Sequence, residues 1–303
     1  MKIRVGTRGS KLALAQTKQI ILQIEAKTPD CECEIKIVQT TGDQRQKTAT
    51  GSVNDKEEWL RGLDTALLND EIDIAVHSAK DVPVQVASGT KLTALGERAS
   101  SKDVFVIGKS QLQLEELPDG AVIGTSSLRR QAQLLNFNPK LKVVNIRGNV
   151  DTRIKKLAQS KELSGIILAE AGINRLSLNL NYQALDSQIL LPAMNQGNLA
   201  AQLKEDRPEL EKLLTEVTSE EVRFCFEAER KVIRMLEADC SSALGVLAEV
   251  DKELVRLKCR VYSLDGQTVL AEQGEVHFSQ ASQLAASIAD KLLVSGAKEL
   301  LHN

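Results

Sequence analysis

The strongest constraint on this chain is a rhythm. Short apolar runs alternate with patterns of helical period, which is the signature of α/β layers. Ile3–Val5 reads as a strand, and Gly6-Thr7-Arg8-Gly9-Ser10 then turns into a helix. That helix buries Leu12, Ala13, Ile20, Ile21 and Ile24, with Ser10 placed as its N-cap. Glu34–Val38 and Ile72–Val76 are further strands, and Trp59–Leu68 is helical between them. The rhythm returns after about residue 100. Val104–Ile107, Ala121–Ile123, Val143–Ile146 and Ile166–Ala169 read as strands. Ser127–Leu135 and Asp151–Leu157 read as helices, the second with Asp151 as N-cap. Two α/β halves follow from this, with crossings near Ser100-Ser101 and Leu191-Pro192.

The last part changes character. Glu220–Leu236 is amphipathic, with Val222, Cys225, Phe226, Glu229, Val232, Ile233 and Leu236 on one side. Val255–Val261 alternates with the period of a half-buried strand, Asp265-Gly266 signals a hairpin, and Ser282–Leu293 is a final helix. This is a small α+β domain with an antiparallel sheet. Gly42–Glu58 is polar and without period, and reads as a long loop.

A chain of 303 residues exceeds what one core usually supports, roughly 250–300 residues. The net charge of -2 gives no chain-wide attraction to nucleic acid or to a membrane surface, so neither is expected as a partner. Met1–Gly6 runs directly into a strand with no leader pattern, and no window reaches the length of a membrane helix. The expectation is a cytoplasmic protein. The cysteines are Cys31, Cys33, Cys225, Cys240 and Cys259, an odd and irregular set that does not suggest a disulfide framework or a metal site.

The chemistry concentrates where strands end. Arg8 follows the first strand, and Arg129 and Arg130 follow Gly124-Thr125-Ser126-Ser127. Arg147 follows another strand, and Arg153 lies a turn into the next helix. Ligands of open α/β sheets bind beyond the carboxyl ends of strands, where helix N-termini already attract anions. Guanidinium forks match carboxylates there, so the pattern predicts a cleft for a molecule with several carboxylates. Taken singly, each arginine could equally be a solvated loop residue. No phosphate-loop or dinucleotide fingerprint occurs.

His77-Ser78-Ala79-Lys80-Asp81-Val82-Pro83 places an acid, an amine and a hydroxyl at one sheet edge. Asp81 could stabilise a developing positive charge or simply cap the next segment, while His77 reads as structural. Cys225 and Cys259 fall on apolar faces and read as core. Cys240, in Ala238-Asp239-Cys240-Ser241-Ser242, lies between a helix and a strand, where a thiol can be reactive or incidental.

These motifs together resemble one family, the hydroxymethylbilane synthases, also called porphobilinogen deaminases. The resemblance is carried by Arg4–Gln16, His77–Pro83, Gly124–Gln131, Asn145–Arg153, Ile167–Gly172, and Leu191-Pro192-Ala193 through Gln196-Gly197. They occur in family order over about residues 3–250. The resemblance implies two α/β domains like those of periplasmic binding proteins plus a small C-terminal α+β domain with an antiparallel sheet. Its boundaries would be 1–99 with 197–217, then 100–196, then 218–303. It implies a monomer and a dipyrromethane cofactor joined by a thioether to Cys240. Each porphobilinogen would lose ammonia to give an electrophilic azafulvene, which the growing chain attacks. After four additions, hydrolysis would release hydroxymethylbilane. Asp81 would be catalytic. Lys80, Ser78, Arg129, Arg130, Thr125, Ser126, Ser127 and Arg147 would hold the cofactor with Cys240. Arg8, Arg147, Arg153, Gln196 and Lys56 would bind substrate.

Two segments depart from the family pattern. The Gly-rich loop with Lys and Leu-Phe is replaced by Ser52-Val53-Asn54-Asp55-Lys56-Glu57-Glu58-Trp59-Leu60, whose added acids weaken attraction for carboxylates. Cys240 is followed by Ser241-Ser242-Ala243 rather than Gln or a related residue and then Val-Pro. A degenerate member that binds an acidic ligand is therefore the alternative. A Lys80-dependent aldolase reading lacks further motifs.

Overall fold

In the computed structural model, residues 1–38, 55–239 and 242–302 are described, without the side chains of 55–59 and 302. The chain divides into two compact units, Met1–Arg98 with Asn198–Arg223, and Ala99–Gly197 with Phe224–Asn303.

Unit 1 opens with β1 (Lys2–Thr7) and α1 (Lys11–Lys27). The Ser10 side chain accepts from the Ala13 amide, satisfying one of the helix's open N–H groups as its sequence position foretold. Next come β2 (Glu32–Ile37), α2 (Asp55–Leu68), β3 (Ile74–Ser78) and β4 (Thr90–Leu95). The expected Gly42–Glu58 loop lies outside the described residues up to 54, and from Asp55 the backbone is already helical.

Unit 2 begins with β5 (Asp103–Ile107), β6 (Val122–Gly124), α3 (Leu128–Phe137), β7 (Lys142–Val144) and α4 (Val150–Gln159). It continues with β8 (Leu163–Ala169), α5 (Glu170–Arg175) and β9 (Tyr182–Ala184). One expectation is corrected here. The cap position of α4 belongs to Asn149, and Asp151 lies inside the first turn, where its charge favours the helix N-terminus. The sheet order is β7-β6-β8-β5-β9, with β6 parallel to β7 and β8, and β5 antiparallel to β8 and β9.

The chain then returns to unit 1 with β10 (Leu199–Lys204) and α6 (Pro208–Glu216). β10 enters the sheet between β3 and β4, antiparallel to both, giving the order β2-β1-β3-β10-β4. Alternation assigns the two faces of that sheet. Ile74, Val76, Leu199 and Leu203 pack with Ile20 and Ile24 of α1 and Leu210 and Leu214 of α6. Ala75 faces the other way, with Leu60, Leu63 and Leu67 of α2.

The remainder of the chain is α7 (Glu220–Met235), the antiparallel sheet β11 (Leu244–Asp251), β12 (Leu254–Tyr262) and β13 (Val269–His277), then α8 (Ala281–Val294) and α9 (Ala297–His302). From Phe224 on, it belongs to unit 2. The β12–β13 turn sits on α3, where Asn136 donates to the Gly266 carbonyl at 2.9 Å. Arg260 donates to the Ser187 and Gln188 carbonyls. Cys225 and Cys259 are buried, as their faces foretold. Among the described residues, no helix is long and apolar enough to cross a membrane.

Gly165 shows how tightly unit 2 is packed. A Cβ there would run into the Phe105 ring and lie 2.6 Å from the Val106 carbonyl oxygen. Gly165→Ala should therefore cost about 1–3 kcal/mol through overpacking. Thermal melting would show this as a lowered midpoint.

Candidate active site

Strand alternation places the unit 1 candidates. Ser78 turns toward α1 and exchanges hydrogen bonds with Gln16, at 2.8 and 3.1 Å. His77 turns to the opposite face and is buried, as its structural reading required. Its neighbour across the pair is Ala200 of β10, and Gln202 lies two residues along the same face. Gln202 donates to Asp64 of α2 at 2.7 Å. The Lys80-Asp81 pair sits in the one-turn helix Ala79–Asp81 that follows β3, and both residues are half-buried. Arg8, at the end of β1, is half-buried too.

Burial pushes the His77 imidazole down to about 4, helped by the Arg8 charge and opposed by Gln202 and Asp81. Arg8, His77 and Asp81 thus share one electrostatic neighbourhood, with His77 neutral at physiological pH. Because the folded value lies below the unfolded one, His77 contributes stability fully above about pH 6.5. That contribution falls as pH drops through about 4. The shift corresponds to about 3 kcal/mol. His77→Gln should remove this part of the acid sensitivity, measured as a flatter urea midpoint between pH 7 and 4.

Unit 2 brings together residues that the sequence placed far apart. Asp103, at the head of β5, is 0% exposed. Its Oδ2 accepts from Arg129 Nη2 at 2.7 Å. Its Oδ1 accepts from Arg130 Nη2 at 2.7 Å, Arg130 Nε at 3.1 Å and Gln196 Nε2 at 2.9 Å. Arg130 Nη1 also donates to the Ile167 carbonyl at 3.0 Å, and Arg129 Nη1 to that of Leu191 at 2.6 Å. Ser127 caps α3 by accepting from the Arg130 amide. Arg129 and Arg130 are thus buried, at 3% and 6% exposure, rather than projecting as open forks.

Two cations against one carboxylate leave a net charge of +1, and Arg129 Nε has no hydrogen-bond partner among the described residues. Burial holds the Arg129 guanidinium below its ordinary pKa. A buried excess cation with an unused N–H suits an anionic group.

The remaining candidates form the adjoining loops. Thr125 is buried and its hydroxyl accepts from the Ser127 amide, while Ser126 donates to the Ile146 carbonyl at 2.8 Å. Arg147 is exposed. Arg153 Nε donates to Gly148 O at 2.7 Å and Lys156 to Arg147 O at 3.0 Å, so α4 holds that loop.

Cys240 lies outside the described residues, as does the Lys56 side chain. Asp239 and Ser242 flank the Cys240-Ser241 pair and are bonded to one another by backbone and side chain.

The sequence matches two family models. Residues 3–212 match the dipyromethane cofactor binding domain of porphobilinogen deaminase, and residues 223–294 match its C-terminal domain. The chain belongs to the porphobilinogen deaminase family. Among its relatives, the porphobilinogen deaminase of Desulforamulus reducens is 40% identical over 301 residues, covering 99% of this chain and 97% of that one. That of Thermus thermophilus is 38% identical over 299 residues, covering 98% and 97%. Family membership makes the chain an enzyme, a transferase of tetrapyrrole biosynthesis with a dipyrromethane cofactor. Likeness to solved structures is weaker. The methionine-binding protein MetQ shares 17% identity at a TM-score of 0.42, covering 73% of this chain and 91% of that one.

Sequence reasoning missed Asp103, Gln133 and Arg175. Gln133 clamps Leu191 from both sides, donating to its carbonyl at 3.0 Å and accepting its amide at 2.7 Å. Arg175 Nη2 donates to the Gly197 carbonyl at 2.7 Å, and burial pushes its guanidinium down to about 10. Asp103 had a signal, a carboxylate opening the apolar run Val104–Ile107, which demands partners. Asp103→Asn leaves two buried guanidiniums without a counter-charge. It should cost about 3–5 kcal/mol, read from urea unfolding.

Proposed function

We propose that this chain is a hydroxymethylbilane synthase. It would condense four porphobilinogen units stepwise, with loss of ammonia, on a dipyrromethane joined by a thioether to Cys240. Hydrolysis would then release hydroxymethylbilane. The observation that carries this reading is the buried Asp103–Arg129–Arg130–Gln196 set, whose single excess positive charge fits a pyrrole carboxylate. A dipyrromethane bound at Cys240 would supply the free pyrrole α-carbon on which the chain grows.

The protein's own residues supply charge and position. Asp81 accepts the pyrrole N–H of porphobilinogen and stabilises the positive charge that develops as the aminomethyl C–N bond breaks and ammonia leaves. At the α-carbon that the cofactor would supply, the new C–C bond would form and the displaced proton would leave. Arg8 binds the substrate carboxylates, and the neutral His77 near Arg8 and Asp81 adds no charge of its own. Arg129 and Arg130 hold cofactor carboxylates with Lys80, Ser78, Thr125, Ser126, Ser127 and Arg147. Arg147, Arg153, Gln196 and Lys56 complete the substrate contacts. The accompanying domain division is 1–99 with 197–217, 100–196, and 218–303 for the part bearing Cys240. The proposal includes a cytoplasmic monomer that does not bind nucleic acid.

Intact-protein mass spectrometry tests it. The purified chain should carry the mass of two linked pyrroles, gain further pyrrole increments with porphobilinogen, and lose the adduct in Cys240→Ser. Asp81→Asn should keep the adduct and lose turnover. A bare mass in folded protein that porphobilinogen leaves unchanged would instead favour a degenerate binding protein.

A further inference from the structure

Glu229 sits on the apolar face of α7 and is 0% exposed. Such a carboxylate is retained only if its oxygens are hydrogen-bonded. Both are. Oε1 accepts from the Ala248 amide of β11 at 2.8 Å, and Oε2 from the Asn195 amide at 2.5 Å. The Asn195 side-chain amide, turned to place its nitrogen inward, donates to the same Oε2 at 3.2 Å and to the Phe226 carbonyl at 3.3 Å. One carboxylate therefore binds the 191–197 segment and the C-terminal sheet to a single helix.

Both of its partners matter for where they lead. Asn195 has φ +55°, a left-handed conformation that costs a non-glycine residue and persists where the surroundings impose it. Its neighbour Gln196 donates to Asp103, and Leu191, at the other end of the segment, accepts from Arg129. β11 begins at Leu244, four residues past Cys240, and is tied to the same segment by Val246 N–H donating to Pro192 O at 2.9 Å. Glu229 is thus one of two ties, with the Val246–Pro192 hydrogen bond, between the strand that follows Cys240 and the segment bonded to Arg129 and Asp103.

Resting on the reading that Cys240 carries the cofactor, we infer that Glu229 is a positioning residue for the reaction. It sets the strand that leaves the anchor against the guanidinium pair that holds the cofactor carboxylates. Glu229 touches neither substrate nor cofactor in this role. A hydrophobic residue of similar size would fill the space equally well, but it could not hold two backbone amides from different segments in register.

The test separates position from stability. Glu229→Gln offers one acceptor oxygen in place of two, and its NH2 group faces an amide. Turnover is measured per adduct-bearing molecule, with loading counted by intact mass. Misplacing reacting groups by about 1 Å can cost about 100-fold, so kcat per loaded enzyme should fall on the order of 10- to 100-fold. KM for porphobilinogen should stay within about twofold, because the interaction lost is one felt in the reacting arrangement. Partly elongated adducts should accumulate. A merely structural role would lower the melting midpoint and the loaded fraction and leave kcat per loaded enzyme at the wild-type value.

Asn195→Gly is the second variant. It accepts φ +55° without cost, keeps Glu229 and deletes the side-chain amide. It should lower kcat in the same direction by a smaller factor. A wild-type kcat per loaded enzyme in Glu229→Gln, or in Asn195→Gly should the first variant not fold, overturns the inference. An adduct that survives Cys240→Ser overturns the anchor reading beneath it, whatever Glu229 does.

Discussion

The buried carboxylate of Asp103 organises unit 2. Arginines 129 and 130 could not be 3% and 6% exposed without it, because desolvating two adjacent guanidiniums costs far more than their packing returns. The same carboxylate fixes Gln196, and through Arg129 it orients the Leu191 carbonyl. Strand β5, helix α3 and the 191–197 segment are therefore held by one group. The set is also unbalanced by design of its charges, with two cations to one anion. A fully neutralised cluster would be a structural device alone. The residual charge, with an unused Arg129 N–H, makes it suited to an acidic ligand.

Much of this was legible in the sequence where the signal was local. Ser10 caps its helix as its position foretold, and Cys225 and Cys259 are buried as their faces required. Short strands without strong period escaped: β9 has three residues, and β4 and β10 mix apolar with polar positions. The arginine pattern was read from chain position, which locates strand ends but not tertiary partners. Arg147 is exposed, whereas Arg129 and Arg130 are folded onto a carboxylate 26 and 27 residues away. Glu229 had been placed among apolar residues by helical period alone. A carboxylate on that face requires partners, and its two amide partners come from segments 34 residues before it and 19 after it, beyond the reach of helical period.

Neutrality at His77 illustrates how burial separates roles among neighbouring groups. An imidazole between Arg8 and Asp81 would ordinarily be an obvious acid or base. Its desolvation pushes it down to about 4. The histidine in unit 1's candidate site is thereby uncharged near neutral pH and contributes shape.

The place of β10 in the first sheet bears on how the protein is made. Among the described residues β4 borders no strand except β10, and β10 lies between it and β3. Residues 90–95 leave the ribosome roughly a hundred residues ahead of their sheet partner at 199–204. Strands β5 to β9 emerge in that interval and find their partners with one another within 103–184. A nascent chain thus completes its second sheet before its first. During that interval it carries an unfinished edge at β3 and an unpaired β4, the kind of exposed strand that invites wrong pairing. The speed with which the 199–204 segment arrives then limits how long the N-terminal half remains open to misassembly.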